Sequence, residues 1–153
     1  MQPQPTSNKD YSVFLYSMEL EGFFDNTREL NTIITPESLQ VSHSIALVVK
    51  DKENIDMQIG LKYGGKGKDY SEIRMIHHYK VTNLPEIMQI DESSHEINID
   101  ENLLRVVIPA SFSTVRGYFS AKLEGSPLYD YPFPLFKTKD LISSCRILVD
   151  KEK

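Results

Sequence analysis

The sequence predicts one α+β domain in which a four-stranded antiparallel sheet carries two C-terminal helices on one face. Three observations lead to this class. Alternating apolar residues, typical of strands, dominate the first half of the chain, and an apolar stripe at helical spacing follows over residues 100–125. At 153 residues the chain is long enough for one ordinary domain and too short for two. Strands that come first and helices that come last are typical of helices gathered on one face of an antiparallel sheet.

The first residues indicate where that domain begins. Residues 1–10, MQPQPTSNKD, are polar and predict a disordered lead-in, so we expect a single domain over residues 11–150. The lead-in lacks the basic start and apolar core of a secretory signal. No apolar run approaches the roughly 20 residues that a membrane span needs. The sequence therefore predicts a cytoplasmic protein without membrane insertion.

Four strands are expected. The first runs from Tyr11 to Leu20, with apolar residues on both faces. A polar connection follows and should pack on the core through four apolar residues, which are Leu30, Ile33, Ile34 and Leu39. Alternation then resumes over residues 41–49, 55–63 and 73–81. The turn sequences between these three segments predict an antiparallel meander.

A long helix is predicted from Asp100 to Gly125. Asp100 suits its positive end, and Gly125 provides a stop. Pro109 lies inside the pattern, where a kink or a later helix start is expected. The apolar stripe comprises Leu104, Ile108, Phe112, Val115, Phe119 and Leu123. Leu103, Val107 and Tyr118 widen this stripe, so we expect burial on two sides. A second, short helix is predicted over KTKDLISSCRIL, which spans residues 137–148.

No pattern of residues points to catalysis. The GGKG segment joins two strands, and GxSxG, HExxH and dinucleotide motifs are absent. Cys145 is the single cysteine and is interpreted as a small buried residue. His77 and His78 are adjacent on a strand and point to opposite faces, which predicts a satisfied inward histidine and an exposed one. We expect no catalytic residue, no metal and no cofactor. The net charge of -5 argues against a nucleic-acid partner.

The order of elements resembles the SecB family of export chaperones over residues 11–148. The most specific piece is LLRVVIPASFSTVRGYFSAKLEG, followed by the proline-rich SPLYDYPFPLF and the short helix KTKDLISSCRIL. The resemblance implies a homotetramer, a dimer of dimers whose long helices lie between two eight-stranded sheets. It also implies an ATP-independent chaperone, or holdase, that binds unfolded polypeptides in apolar grooves for protein export. Docking to the translocation motor is a further expectation from the family.

The resemblance also implies which residues carry these roles. The client-binding groove is expected between the second helix and the polar connection after the first strand, here called the crossover connection. It would be lined by Phe24, Leu30, Ile33, Ile34, Leu39, Leu141 and Ile142. The oligomer interface is expected on the long helix at Val107, Ile108, Phe112, Val115 and Phe119.

The chain departs from the family pattern in three respects. It has no Trp, and its tail RILVDKEK lacks a motor-binding extension. Its excess of acidic over basic residues, 22 against 17, is smaller than is usual in the family. Three alternatives therefore stay open. One is a dedicated antitoxin chaperone of the same family. Another is a small-ligand or enzymatic domain that uses a concave sheet face with His77 and Tyr79, and the last is an adaptor with one fixed partner.

Overall fold

The computed structural model describes residues 10–27 and 34–150. Two short 3-10 turns, Leu84–Ile87 and Pro127–Asp130, join some of the regular elements. Those elements are, in chain order, β1 (Val13–Asp25), β2 (Gln40–Val49), β3 (Asn54–Gly65), β4 (Lys68–Val81), β5 (Met88–Ile90), β6 (Ile97–Ile99), α1 (Glu101–Lys122), α2 (Thr138–Ser144) and β7 (Cys145–Val149).

The main sheet has five strands in the order β1-β4-β3-β2-β7, and β5 pairs with β6 in a separate small ribbon. The first four strands are antiparallel to their neighbours, whereas β7 runs parallel to β2. The α+β class is thus confirmed. The predicted four-stranded, purely antiparallel sheet is corrected to a mixed sheet of five strands.

The fifth strand arises where a helix was expected. Helix α2 ends at Ser144, and Cys145–Val149 continues as β7, with Cys145 in register with Ile45. The sequence CRILV is rich in β-branched and long apolar residues, which fit a strand as well as a helix. The free edge of β2 supplies the hydrogen-bonding partner that decides between them.

Helix α1 agrees closely with its prediction. The Asp100 side chain accepts a hydrogen bond from the Asn102 backbone N–H at 2.9 Å, which caps the first turn. The helix continues through Pro109 as one element and ends before Gly125, whose φ of 84° lies in the left-handed region that favours glycine. Both predicted ends are confirmed.

The core lies between α1 and one face of the sheet, here called the inner face. β3 and β4 contribute most of it, because their alternate residues are almost fully buried beneath the helix. Near the centre, the hydroxyl groups of Tyr79 and Ser111 are hydrogen-bonded at 2.6 Å. The sheet residues of this core include Ile55, Met57, Ile59, Leu61, Ile73, Met75 and Val81.

The connection of residues 131–136 covers the other side of the α1 stripe. Phe133 is buried, and its ring centroid lies 6.2 Å from that of Phe112 and 6.3 Å from that of Phe119. The Arg116 Nε donates to the Phe133 carbonyl at 2.5 Å, and the Tyr63 hydroxyl donates to the Tyr131 carbonyl. These contacts hold the proline-rich segment against the helix and the sheet.

The residues predicted as the oligomer interface lie inside the chain's own core. All five are at most 3% exposed: Val107, Ile108, Phe112, Val115 and Phe119. Their chain's own sheet and the 131–136 connection provide the two-sided burial that the wide stripe predicted. They are thus covered by their own chain, and their role in an oligomer interface stays a prediction. Tyr118, which was placed in the same stripe, is 40% exposed.

Candidate functional site

Strand β1 forms one edge of the sheet and carries an unusual amount of exposed apolar surface. It pairs with β4 on one side, and no described strand pairs with its other side. Six of its large apolar side chains are between 36% and 59% exposed, and they are Phe14, Leu15, Tyr16, Met18, Leu20 and Phe24. Exposed apolar patches of this kind mark interaction surfaces in soluble proteins.

The register explains why the inner side of β1 is uncovered. Leu15, Met18 and Leu20 lie opposite Tyr79, His77 and Met75 of β4, so they share the inner face with the core. Helix α1 packs mainly over β3 and β4. The three β1 residues lie beyond the area that the helix covers and consequently face solvent, whereas Val13 and Phe23 on the same side of β1 pack on the core.

On the outer face of the sheet, Tyr16 stacks against His78 with ring centroids 6.0 Å apart. The His78 Nδ1 lies 2.7 Å from Asp56, and its Nε2 lies 3.3 Å from Glu19. Burial lowers the pKa of His78, but the hydrogen bonds and charges of the two carboxylates outweigh this effect and raise the pKa above its usual value. The predicted exposed histidine is thus a paired one.

His77 points inward, as predicted, and is fully buried. Neither ring nitrogen has a hydrogen-bond partner among the described residues. The hydrogen bonds that were predicted for this inward histidine are therefore not found there. Burial and the neighbouring His78 lower the pKa of His77, which favours the neutral ring. Tyr79 is also buried, beneath α1. The two residues therefore line no open cleft on the inner face, where the small-ligand alternative placed its site.

A groove with a volume of about 590 Å³ opens at one end of the sheet. It lies between the β2–β3 turn, the segment of residues 85–90 and the end of β7. The turn itself is ordered by Asp51, whose carboxylate accepts from the backbone N–H groups of Glu53 and Asn54 at 2.8 and 2.9 Å. Apolar side chains line most of this end groove: Val49, Pro85, Met88, Ile90 and Val149.

The predicted client-binding residues that the structure describes do not line one open groove. Leu30 and Ile33 lie outside the described residues, so their role stays a prediction. Leu141 is buried, while Ile34, Leu39 and Ile142 are partly buried and pack on the core. The Tyr131 hydroxyl donates to the Ile34 carbonyl at 3.3 Å, which ties the end of the crossover connection to its own chain. Among the described members of this set, Phe24 alone is exposed, at the end of β1.

Sequence reasoning identified the apolar residues of β1 but expected both faces to be covered, and it did not find the end groove. The sequence feature that could have indicated this groove is the short apolar run of residues 87–90, which is too short to form a strand of the main sheet. Cys145 was predicted on a helix and lies at the start of β7, where burial raises the pKa of its thiol to about 11. Such a thiol is protonated at neutral pH and is a weak nucleophile.

The described residues contain no helix that is both long and apolar enough to cross a membrane. Comparison with known proteins adds no relative, since no family model, no curated protein and no solved structure matches this chain.

Proposed function

We propose that this protein is an oligomeric, ATP-independent holdase that binds non-native polypeptides on exposed apolar surface. The observation that most supports the oligomer is the apolar surface of β1, which combines a backbone edge, unpaired by any described strand, with six exposed large side chains. A soluble protein rarely leaves such an edge uncovered, because it pairs readily with another extended chain. Client binding is supported by the mostly apolar lining of the end groove. Residues 11–150 would act as one functional unit.

Within this proposal, the edge and the groove have different occupants. The edge of β1 is long, and a second copy of the chain would cover it by strand pairing within a tetramer. The end groove is short, open and mostly apolar, and it would take extended segments of clients. Side chains such as Met88 adapt their shape to different partners, which suits binding with little sequence preference.

Binding of non-native chains would delay their folding by mass action, because the holdase removes the unfolded species from the folding equilibrium. Protein export requires clients in this unfolded state, and export is the role that we propose for the activity. Docking to a translocation motor would follow the same proposal.

Light scattering of a chemically denatured model protein during refolding tests the holdase. We expect suppression of aggregation at a stoichiometric ratio without nucleotide. Ile90→Asp places a charge in the end groove and should weaken the suppression at least several-fold, because an aspartate disfavours apolar contacts there. Val106→Asp is the matched control, since Val106 is similarly exposed at 55% but lies on the outer side of α1.

Two results would contradict the proposal. One is aggregation that proceeds unchanged at any ratio of the wild-type protein. The other is equal loss of suppression in the Ile90 and Val106 variants, which would indicate general destabilisation and not a client site.

A further inference from the structure

A polar hollow of about 160 Å³ lies near the centre of the outer face of the sheet, on the side away from α1. Gly60 of β3 leaves this space open. It lies opposite Ser44 of β2 and Arg74 of β4, and a Cβ atom at this position would come within 2.7 Å of the Ser44 Oγ and 3.4 Å of the Arg74 Cγ. The hollow therefore depends on the absence of a side chain at Gly60.

Two arginines border the hollow from opposite sides. Arg74 comes from β4, and Arg146 comes from β7, where it lies in register with Ala46. The short side chain of Ala46 keeps the space between them clear. Arg74 makes only a loose ion pair with Glu72, at 3.8 Å, and Arg146 makes no ion pair with any residue in the two described ranges. Both guanidinium groups thus retain capacity for a ligand.

The other polar groups of the lining complement these charges. The Gln58 amide supplies donors, and the Ser44 hydroxyl can donate or accept. Guanidinium groups bind carboxylate and phosphate oxygens through paired, charge-assisted hydrogen bonds. A space of about 160 Å³ has room for a phosphate or a short carboxylic acid.

We infer that this hollow is a binding site for a small oxyanion, a phosphate or carboxylate group held between Arg74 and Arg146. The site lies on the face opposite the helices and uses none of the apolar residues of the proposed holdase. Its occupancy is consequently independent of the holdase activity.

Glu21 makes the inference more specific. It falls at an irregularity in the β1–β4 register between Leu20 and Gly22, and its side chain contributes to the lining of the hollow. An extra residue of this kind re-aims a side chain relative to the regular strand. A carboxylate at this position repels an incoming anion, so removal of its charge should strengthen binding.

Isothermal titration with inorganic phosphate and, separately, succinate at constant ionic strength tests the site. The wild-type protein should bind one of these probes saturably, and the tighter probe identifies the ligand group. Arg74→Gln and Arg146→Gln should each weaken binding by about tenfold or more, the loss expected for a charged hydrogen bond. Gly60→Ala should also weaken binding, because its Cβ atom would occupy the hollow between Ser44 and Arg74. Glu21→Gln should strengthen binding several-fold.

Lys80→Gln is the matched control. Lys80 is exposed on the same face and the substitution removes the same charge, but it lies six residues along β4 from Arg74, about 20 Å away. This variant should bind like the wild type. The inference is wrong if neither probe binds saturably, if Lys80→Gln weakens binding as much as the arginine variants, or if Glu21→Gln leaves the affinity unchanged. The unfolding midpoint of each variant, measured without ligand, identifies any variant that fails to fold. If an arginine or Gly60 variant does not fold, the affinity of Glu21→Gln relative to the wild type decides the test.

Discussion

At the scale of single residues, two adjacent histidines have opposite electrostatic environments. His77 is enclosed in the core without a described hydrogen-bond partner, whereas His78 lies between Asp56 and Glu19. The pKa of the first is lowered and that of the second is raised. Because adjacent residues of β4 point to opposite faces of the sheet, His77 lies in an apolar environment and His78 in an acidic one.

We predict that His77→Leu stabilises the protein at pH 7 by about 1 kcal/mol, because leucine replaces a buried polar ring that lacks hydrogen bonds. Its effect on pH dependence follows from linkage. The folded pKa of His77 is lowered, so the unfolded chain binds the proton more tightly, and stability falls as pH drops below the usual histidine pKa of about 6.5. His77→Leu should remove this acid sensitivity.

Urea unfolding at pH 5, 6, 7 and 8 measures both effects. His78 contributes with the opposite sign, since its raised folded pKa gives stability that is present at low pH and lost as pH rises through that pKa. His78→Ala is therefore the comparison variant, and its cost should be larger at pH 6 than at pH 8. An unchanged or steeper loss of stability at pH 5 in His77→Leu would contradict the assignment.

At the scale of secondary-structure elements, the 131–136 connection acts as a second cover for α1. Its backbone carbonyls are held by two buried or partly buried side chains, Tyr63 and Arg116. Burial raises the pKa of Tyr63 to about 12, despite the opposing charge of Arg116, so the hydroxyl keeps its proton and acts as a donor. A proline-rich segment without regular structure is thereby fixed against the core.

Tyr63→Phe should destabilise the protein by about 1–3 kcal/mol, because the Tyr131 carbonyl loses its donor in a largely buried environment. Chemical unfolding gives this value directly. Tyr118→Phe is the control, since the Tyr118 side chain is 40% exposed on α1 and its variant should change stability by less than about 0.5 kcal/mol. Equal stability of the Tyr63 variant and the wild type would show that this hydrogen bond does not hold the connection.

At the scale of the whole molecule, the main sheet has two edge strands of different length, β1 and β7. At the far edge, β7 pairs with β2 and is short, with five residues, of which Leu148 and Val149 are exposed large apolar ones. At the near edge, the 13 residues of β1 combine free backbone groups with apolar side chains. The greater length and apolar surface of β1 favour association through this strand, whereas the α1 core residues are covered by their own chain.

We predict that Leu20→Lys converts the proposed oligomer to a smaller species. A lysine on the inner side of β1 places a charge where a second copy would pack, and natural proteins use lysine on edge strands to prevent pairing. Native mass spectrometry and sedimentation at micromolar concentrations measure the change. Val106→Lys should leave the mass unaltered, and a monomeric wild-type protein under these conditions would disprove the interface.

Much of the element order was predictable because it depends on local patterns. The spacing in α1, its Asp100 cap and its Gly125 stop are all properties of neighbouring residues, and the structure confirms them. The fate of residues 145–149 was not predictable, since their apolar pattern fits a helix or a strand and only the free edge of β2 selects the strand. Exposure of Leu15, Met18 and Leu20 likewise depends on where α1 lies across the sheet.

The amino-acid pattern alone determined the α+β class, the strand-to-helix order and the absence of a recognisable catalytic motif. Tertiary structure decided which apolar residues are covered by their own chain and which remain exposed. It placed the α1 residues Val107 to Phe119 in the core, left β1 open, and brought Arg74 and Arg146 to one hollow above Gly60. The physical reason is that burial and charge proximity arise between residues far apart in the chain, and periodicity describes only neighbours.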